Sequence, residues 1–272
     1  MFGLSRQAIY KRVKRSEERS KKYKKVKNLV LQQRMLMPRL GTRKLYYLIS
    51  DLLEEQQIKI GRDGLFDLLR AENMLIKPLK SYTKTTNSKH WLRKHPNLLT
   101  GLKMNRPNQV YVSDITYIKS RERTHYLSLI TDAFSRKIVG YHLSDDMSSE
   151  NVVKALKIAV KNRSSTLPLI HHSDRGLQYC SSIYQLELDK NKITPSMTDG
   201  YDCYQNALAE RINGILKNEF LIYKCQDQKE LGRLIAQSIE TYNKIRPHLS
   251  LNMKTPNFIH QKSSEVTLTA FN

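Results

Sequence analysis

Short apolar runs separated by polar turns predict a mixed α/β domain in the second half of the chain. Three runs of β-forming residues follow one another closely, at 110–119, 126–133 and 137–143. Their short connections favour an antiparallel arrangement, because a tight turn can join only antiparallel neighbours. The sequence therefore predicts a three-stranded meander at the start of this domain.

Helices and two further strands are predicted after the meander. A helix is expected from Ser148 or Ser149 to about Asn162, and the apolar run at 167–173 should return through it as a strand parallel to its sheet neighbour. The remaining predicted elements are a helix near 182–190, a short strand at 193–197, an amphipathic helix at 206–220 and another helix at 229–244. This order predicts a mixed five-stranded sheet with flanking helices.

Two helices with a short connection are predicted ahead of the sheet. Leucine and isoleucine recur at helical spacing within 42–55 and again within 62–73, and Ser5 is a suitable cap for an earlier helix. The predicted divisions are a basic helical arm at 1–39, a two-helix module at 40–77, a linker at 78–107, the sheet domain at 108–225, and a C-terminal helix and tail packed on that domain at 226–272.

The charge of the chain indicates a polyanionic partner. Its 272 residues hold 47 Lys and Arg against 25 Asp and Glu, a net charge of +22. Nucleic acid is favoured over a membrane, because no apolar run approaches the roughly 18–20 residues of a span. We expect phosphate contacts from the basic arm, with a merely solvated helix face as the alternative. The arm residues proposed for these contacts are Lys11, Arg12, Lys14 and Arg15.

The three cysteines carry little chemistry. Cys180, Cys203 and Cys225 are widely spaced and form no CxxC pair. This spacing argues against a disulfide framework and against a zinc finger. A reducing compartment fits, most simply a bacterial cytoplasm, with the protein associated with the nucleoid.

Two aspartates lie at positions in the predicted sheet where a charged side chain needs an explanation. Asp114 lies in the middle of a predicted strand, where burial of a carboxylate is costly unless a partner neutralises it. Asp174 follows a strand and precedes the turn at Gly176, which holds a side chain rigidly at a cleft. An ordinary turn or capping role is the alternative for Asp174.

A third acid lies on the amphipathic helix at 206–220. Glu210 is off the centre of the apolar stripe, and Asn206 and Lys217 project from nearly the same face. Asp132 is the rival to these acids. A salt bridge to Arg136 or a turn hydrogen bond is the more ordinary role for it.

The stretches VYVSDITYIK, HHSDRG and NALAERINGILKNE, in this order, resemble the DDE transposases and retroviral integrases, a ribonuclease-H-like superfamily. More narrowly, the chain is similar to the second-frame, integrase-like product of the IS-three family of bacterial insertion sequences. The stretch YNKIRPHLSL resembles the C-terminal signature of the same group. The resemblance implies a ribonuclease-H-like catalytic core preceded by a helix-turn-helix-like module, whose second helix would present Arg62 and Arg70 to DNA.

The resemblance also implies the chemistry. Asp114, Asp174 and Glu210 would be the catalytic residues and would hold two Mg²⁺ ions, for which Mn²⁺ can substitute. Such ions lie about 3.5–4 Å apart and relieve the repulsion between carboxylates. Lys217 and Asn206 would contact DNA. The implied reaction is DNA strand cleavage and strand transfer at the ends of a mobile element by in-line phosphoryl transfer.

Partners follow from the same resemblance. They are double-stranded DNA, both the terminal inverted repeats and the target, further copies of the chain assembled on DNA, and a first-frame product or fusion that supplies end recognition. Two alternatives remain open at this point. One is a DNA-binding regulator or remnant with an inactive core, and the other is a ribonuclease-H-like nuclease, which would not need the basic arm.

Overall fold

The protein divides into two compact units, Met1–Leu79 and Lys80–Asn272. The structure is a computed structural model that describes residues 5–77, 91–163, 165–199 and 206–269. Residues 78–90 of the predicted linker therefore lie outside the described residues. Within the described ranges, no helix combines the length and the apolar character that crossing a membrane requires.

The first unit consists of three helices, α1 (Arg6–Leu36), α2 (Thr42–Glu55) and α3 (Arg62–Ala71). The Ser5 side chain accepts a hydrogen bond from the Ala8 backbone N–H, as expected of a helix cap. Burial along α1 begins only at Val26, so the first two-thirds of this long helix lacks buried residues. The unit's apolar core therefore forms from the end of α1 and the leucine faces of α2 and α3.

The second unit contains the predicted five-stranded sheet. Its strands are β1 (Val110–Lys119), β2 (Thr124–Asp132), β3 (Ile138–Ser144), β4 (Leu169–Ser173) and β5 (Ile193–Met197). They are ordered β3-β2-β1-β4-β5. The meander β1 to β3 is antiparallel, whereas β4 lies parallel to both β1 and β5. The mixed sheet predicted from the apolar runs is confirmed.

Helices lie on both faces of this sheet. They are α4 (Ser149–Lys161), α5 (Leu177–Cys180), α6 (Ser182–Lys190), α7 (Ala207–Ile215), α8 (Gln228–Lys244) and α9 (Pro256–Thr269), and a 3₁₀ turn at Leu249–Leu251 precedes α9. The amphipathic helix predicted at 206–220 is present, but it is not α-helical throughout. The helix α7 ends at Ile215 and continues as a π-helical segment, Leu216–Phe220, called the π-turn below.

The alternation of side chains along β1 separates the two faces. Tyr111 belongs to the large apolar cluster that α4, α5 and α6 cover. Val110 and Val112 belong to a smaller cluster with Ala209 of α7. Because residues two apart on a strand share a face, Asp114 lies on the α7 side of the sheet.

The segment before β1 is held against the sheet. The Met197 N–H donates to the Pro96 carbonyl at 3.3 Å, and the Leu98 N–H donates to Ser196 Oγ at 2.9 Å. The Arg106 guanidinium donates to the Pro168 carbonyl at 2.7 Å. The later part of the predicted linker therefore runs along the β5 edge instead of standing clear of the domain.

The C-terminal helices dock on the turn between β2 and β3. The Asn243 side chain accepts from the Ile138 N–H and donates to the Ile138 carbonyl, both at 2.9 Å. The Tyr242 hydroxyl donates to the Arg136 carbonyl at 3.0 Å. The Asn243 amide thus satisfies backbone groups of β3 as a neighbouring strand would.

Candidate active site

The strand register places the two aspartates side by side. Val112 pairs with His172 in the parallel ladder between β1 and β4. Asp114 lies two residues further along β1, and Asp174 lies two residues after His172, just beyond the end of β4. The charge of Asp174 acts on Asp114, so the two carboxylates are near each other. Neighbouring strands lie about 4.8 Å apart, so their backbones are adjacent at this edge of the sheet.

Asp114 is held firmly in place. Its Oδ1 accepts from the Ile115 N–H at 2.9 Å, and its Oδ2 accepts from Asn213 Nδ2 at 2.7 Å. Burial, reinforced by the charges of Asp174 and Glu210, raises the pKa of Asp114 to about 7, against the opposing effect of the two hydrogen bonds. Ionisation of Asp114 beside Asp174 and Glu210 is therefore unfavourable at neutral pH. A bound cation would relieve that repulsion.

Asp174 lies one residue beyond β4, in a tight turn. Its Oδ1 accepts from the Gly176 N–H at 3.1 Å. A Cβ on Gly176 would come within 3.0 Å of that same oxygen, which is closer than side chains pack. The glycine therefore allows the carboxylate to fold back over the turn. This turn bond is the ordinary role expected of such an aspartate, and it also fixes the carboxylate beside β1.

Glu210 lies in the first turn of α7 and is exposed. Partial burial, followed by the charge of Asp174, raises its pKa. Asp174 therefore raises the pKa of both other acids, so the three carboxylates share one electrostatic environment. In the described ranges, however, no three His, Cys, Asp or Glu side chains are close enough together to form a ready-made metal cluster.

The inward side of α7 runs along β1. Ala209 joins the apolar cluster at Val112, and Asn213, one turn later, donates to Asp114. Lys217, a further turn along, donates from Nζ to Thr116 Oγ1 at 3.2 Å. Burial lowers the pKa of Lys217, and the charge of Asp114 opposes this effect. An ammonium group therefore stands next to the carboxylates.

Sequence reasoning missed Asn213. It is buried, and its amide nitrogen contacts Asp114 directly. The available signal was its spacing, because Asn213 falls four residues after Ala209 and four before Lys217, on the helix face that meets β1. A polar residue at that position has to serve a buried polar group.

The structure gives Asn206 a packing role. It is only 4% exposed, and its Nδ2 donates to the Ser113 carbonyl at 3.0 Å. The amide thus docks the start of α7 on β1. Contact between Asn206 and DNA stays a prediction, and it would require this buried amide to reach the surface.

Asp132 is a turn residue. Its side chain is fully buried, its Oδ2 accepts from the Asn108 N–H at 2.6 Å, and its Oδ1 accepts from the Ser135 N–H and hydroxyl, both at 2.7 Å. Of the two ordinary roles considered, the turn hydrogen bond is the one present. Arg136 instead donates to the Ala133 carbonyl at 2.6 Å.

The predicted DNA contacts outside the sheet domain lie on the first unit. Arg62 and Arg70 are exposed on α3 and pair with Asp63 and Asp67 at 2.9 and 2.6 Å. The four basic residues proposed on the arm are exposed on α1, and they are Lys11, Arg12, Lys14 and Arg15. These side chains form basic surfaces of the first unit, whereas the acids belong to the second.

The raised pKa of Asp114 predicts a pH-dependent stability. The pKa of Asp114 in the folded protein is about 7, against an ordinary value of 3.8. Its stabilising contribution to the free energy of unfolding is therefore fully present below pH 3.8 and is lost as the pH rises through 7. Without metal, D114N should therefore be more stable than the wild type at pH 8, by up to about 4 kcal/mol, and equally stable near pH 4. Denaturant unfolding at both pH values, in EDTA, measures this difference. The same difference in stability between D114N and the wild type at both pH values would contradict the raised pKa of Asp114.

Comparison with known proteins adds to this geometry. A family model described as "Integrase core domain" matches residues 104–203, and a second with the same description matches residues 191–256. The "Insertion element IS600 uncharacterized 31 kDa protein" of Shigella sonnei is 35% identical, over 96% of this chain and 97% of its own length. "Transposase InsF for insertion sequence IS3fB" of Escherichia coli K12 is 30% identical, over 74% of this chain and 70% of its own.

Solved structures share the fold. A chain of the simian T-cell lymphotropic virus intasome, solved in complex with the PP2A regulatory subunit B56 gamma, superposes with a TM-score of 0.51 and 19% identity. The match covers 81% of this chain and 70% of that one. At this identity the similarity concerns the fold alone.

Proposed function

The chain belongs to the DDE transposases of bacterial insertion sequences, within the integrase superfamily, and on this basis we propose that it cleaves and joins DNA strands at the ends of its mobile element. Members of this family are polynucleotidyl transferases. The observation that carries the proposal is the electrostatic coupling of the three acids, because the charge of Asp174 contributes to the raised pKa of both Asp114 and Glu210.

The donor set fits Mg²⁺. Asp114, Asp174 and Glu210 offer only carboxylate oxygens, the ligands that Mg²⁺ prefers. Burial and the charge of Asp174 raise the pKa of Asp114 and of Glu210, an effect that a bound cation would oppose. These three residues would hold two ions, and Mn²⁺ can take the same places. Bound there, the ions would supply activation of the attacking oxygen and stabilisation of the leaving oxygen in an in-line displacement at phosphorus.

The remaining side chains hold the site and the substrate. Asn213 and the Ile115 N–H orient the Asp114 carboxylate. Lys217, half-buried beside them, neutralises a phosphate of the DNA end and so places the scissile bond near the acids. None of these steps needs a covalent link between protein and DNA.

The first unit adds affinity for the DNA backbone. The exposed first part of α1 and the exposed α3 face with Arg62 and Arg70 contact phosphates of the element's terminal repeats or of the target. Several copies of the chain assemble on the DNA, and a first-frame product or fusion supplies recognition of the element's ends.

A strand-transfer assay tests the proposed function. The full chain is incubated with Mg²⁺ and a duplex that carries the element's own terminal repeat, together with a supercoiled target. We expect the repeat's 3′ end to become joined to the target, and EDTA to stop the reaction. Cleavage of the RNA strand of a hybrid without any joining would favour a nuclease instead. Binding without cleavage of either substrate would indicate a regulator with an inactive core.

A further inference from the structure

The π-turn brings two opposite charges to opposite sides of the same short segment. Leu216 and Phe220 are buried, and the Leu221 N–H donates to the Leu216 carbonyl at 2.9 Å, a bond five residues long. Lys217 and Glu219 are two residues apart, which at about 100° per residue directs them away from each other. Lys217 points to β1, and Glu219 points to the segment after α8.

Glu219 is bound by an arginine from the C-terminal segment. Arg246 Nε donates to Glu219 Oε2 at 2.8 Å, and Arg246 Nη2 donates to Glu219 Oε1 at 2.7 Å. The arginine side chain is 3% exposed and the glutamate side chain 18% exposed. A two-bond pair between planar groups fixes orientation as well as distance. The pair therefore holds the π-turn from the side opposite to Lys217.

Arg246 is itself held in one geometry. Its Nη1 lies 3.0 Å from His248 Nε2, and its guanidinium lies 5.8 Å from the centre of the Tyr242 ring. The Tyr242 and His248 rings meet edge to face at 5.0 Å. Such packing leaves the arginine few alternative rotamers. The stretch YNKIRPHLSL thus holds the Arg246 guanidinium in place, and Arg246 in turn binds Glu219.

We propose that Arg246 is a positioning residue for Lys217. By binding Glu219, Arg246 fixes the position of the π-turn. The Lys217 ammonium is thereby kept beside Thr116 and Asp114, where it neutralises a phosphate of the DNA end. This inference rests on the proposed function for the role of Lys217. It gives the YNKIRPHLSL stretch a task in DNA binding although Arg246 is 2% exposed and does not reach the DNA.

The salt dependence of DNA binding separates positioning from simple structural support. Each phosphate contact contributes about 0.9 to the slope of log affinity against log salt concentration. K217A should therefore make the slope shallower by about 0.9 and weaken binding to an end-repeat duplex about fivefold to tenfold at 0.1 M salt. R246M and E219Q should reproduce that loss, because either change releases the π-turn. The double variant K217A/R246M should bind no more weakly than K217A alone.

N243A is the matched control. Asn243 docks the same helix, α8, through two hydrogen bonds to the Ile138 backbone. N243A should lower the thermal midpoint yet keep the wild-type slope. Since R246M leaves a buried carboxylate uncompensated and can unfold the chain, E219Q and R246K provide milder tests, checked for folding by circular dichroism.

Two results would overturn the inference. One is that folded R246K and E219Q keep the wild-type salt slope while K217A has a shallower slope. The other is that the losses of DNA affinity in K217A and R246M add up in the double variant. An unchanged slope in K217A would overturn it as well, because Lys217 would then make no phosphate contact. Failure of the proposed function is a separate observation, since it appears as absent strand transfer by the wild type whatever the slopes.

Discussion

Replacing any one of the three acids should abolish strand transfer while DNA binding remains nearly intact. D114N, D174N and E210Q each remove a charge that the proposed metal ions need, while they keep the size of the side chain. Metal ions contribute several kcal/mol to such displacements, so each rate should fall by about 1,000-fold. Single-turnover joining of an end-repeat duplex in Mg²⁺, with filter binding in parallel, measures both quantities.

D189N is the control for these three variants. Asp189 is exposed on α6, and the same chemical change there should leave joining and binding at wild-type levels. Thermal melting in EDTA shows whether the acid variants are folded. Residual joining above about a tenth of wild type in one of them would exclude that residue from the metal site.

Replacing Asp132 should instead destabilise the fold. D132A leaves the Asn108 N–H and the Ser135 N–H without the carboxylate that accepts from them, and it removes one of the two partners of the Ser135 hydroxyl, the other being His260 Nδ1. Buried donors that lose an ionised partner cost about 1–3 kcal/mol each, and partial relaxation reduces the sum to about 3–5 kcal/mol. Denaturant unfolding at neutral pH measures this change in the free energy of unfolding.

The same variant distinguishes a structural aspartate from a catalytic one. At a temperature where D132A remains folded, its joining rate should stay within a few-fold of wild type. D189A, at an exposed position, should change stability by less than about 0.5 kcal/mol. A loss below 1 kcal/mol in D132A, or a 1,000-fold loss of joining in the folded variant, would reverse the roles assigned to Asp132 and to the three acids.

Local patterns sufficed for most of the fold because its strands are short apolar runs between clear turns. The helix at 182–190 and the strand at 193–197 lie where the sequence places them. The predicted strand at 167–173 begins two residues later, because Pro168 lacks the N–H that a sheet ladder uses. The parallel direction of β4 followed from the crossover through α4.

The departures arise from contacts between distant residues. The π-turn interrupts the predicted helix at 206–220, and Glu219 within it is bound by Arg246, which lies 27 residues away in sequence. The helical spacing of residues within 206–220 gives no information about that partner. Asn206 and Asn213 were equally hidden, since their amides serve Ser113 and Asp114 of a strand about one hundred residues earlier. Propensity and period describe a segment, whereas these features depend on its neighbours in space.

The three acids of the candidate site could be picked out from the sequence, but the side chains that hold them in place could not. A carboxylate in mid-strand, another at a strand end and a third on a helix were each out of place enough to be noticed. Their convergence could be expected only from a family resemblance, because spacing along the chain carries no direction in space. The raised pKa of Asp114 and the contact between Lys217 and Thr116 required coordinates.

Cleavage of the chain by bound iron tests the central claim most directly, because it reports which backbone segments surround the metal. Fe²⁺ replaces Mg²⁺ in the full protein, ascorbate and peroxide generate radicals at the ion, and the fragments are mapped by mass spectrometry. The predicted result is cutting near residues 114, 174 and 210 together, suppressed by excess Mg²⁺ and lost at all three places in D174N. Cutting near only one of these residues, or cutting that excess Mg²⁺ does not suppress, would contradict a metal site shared by the three acids.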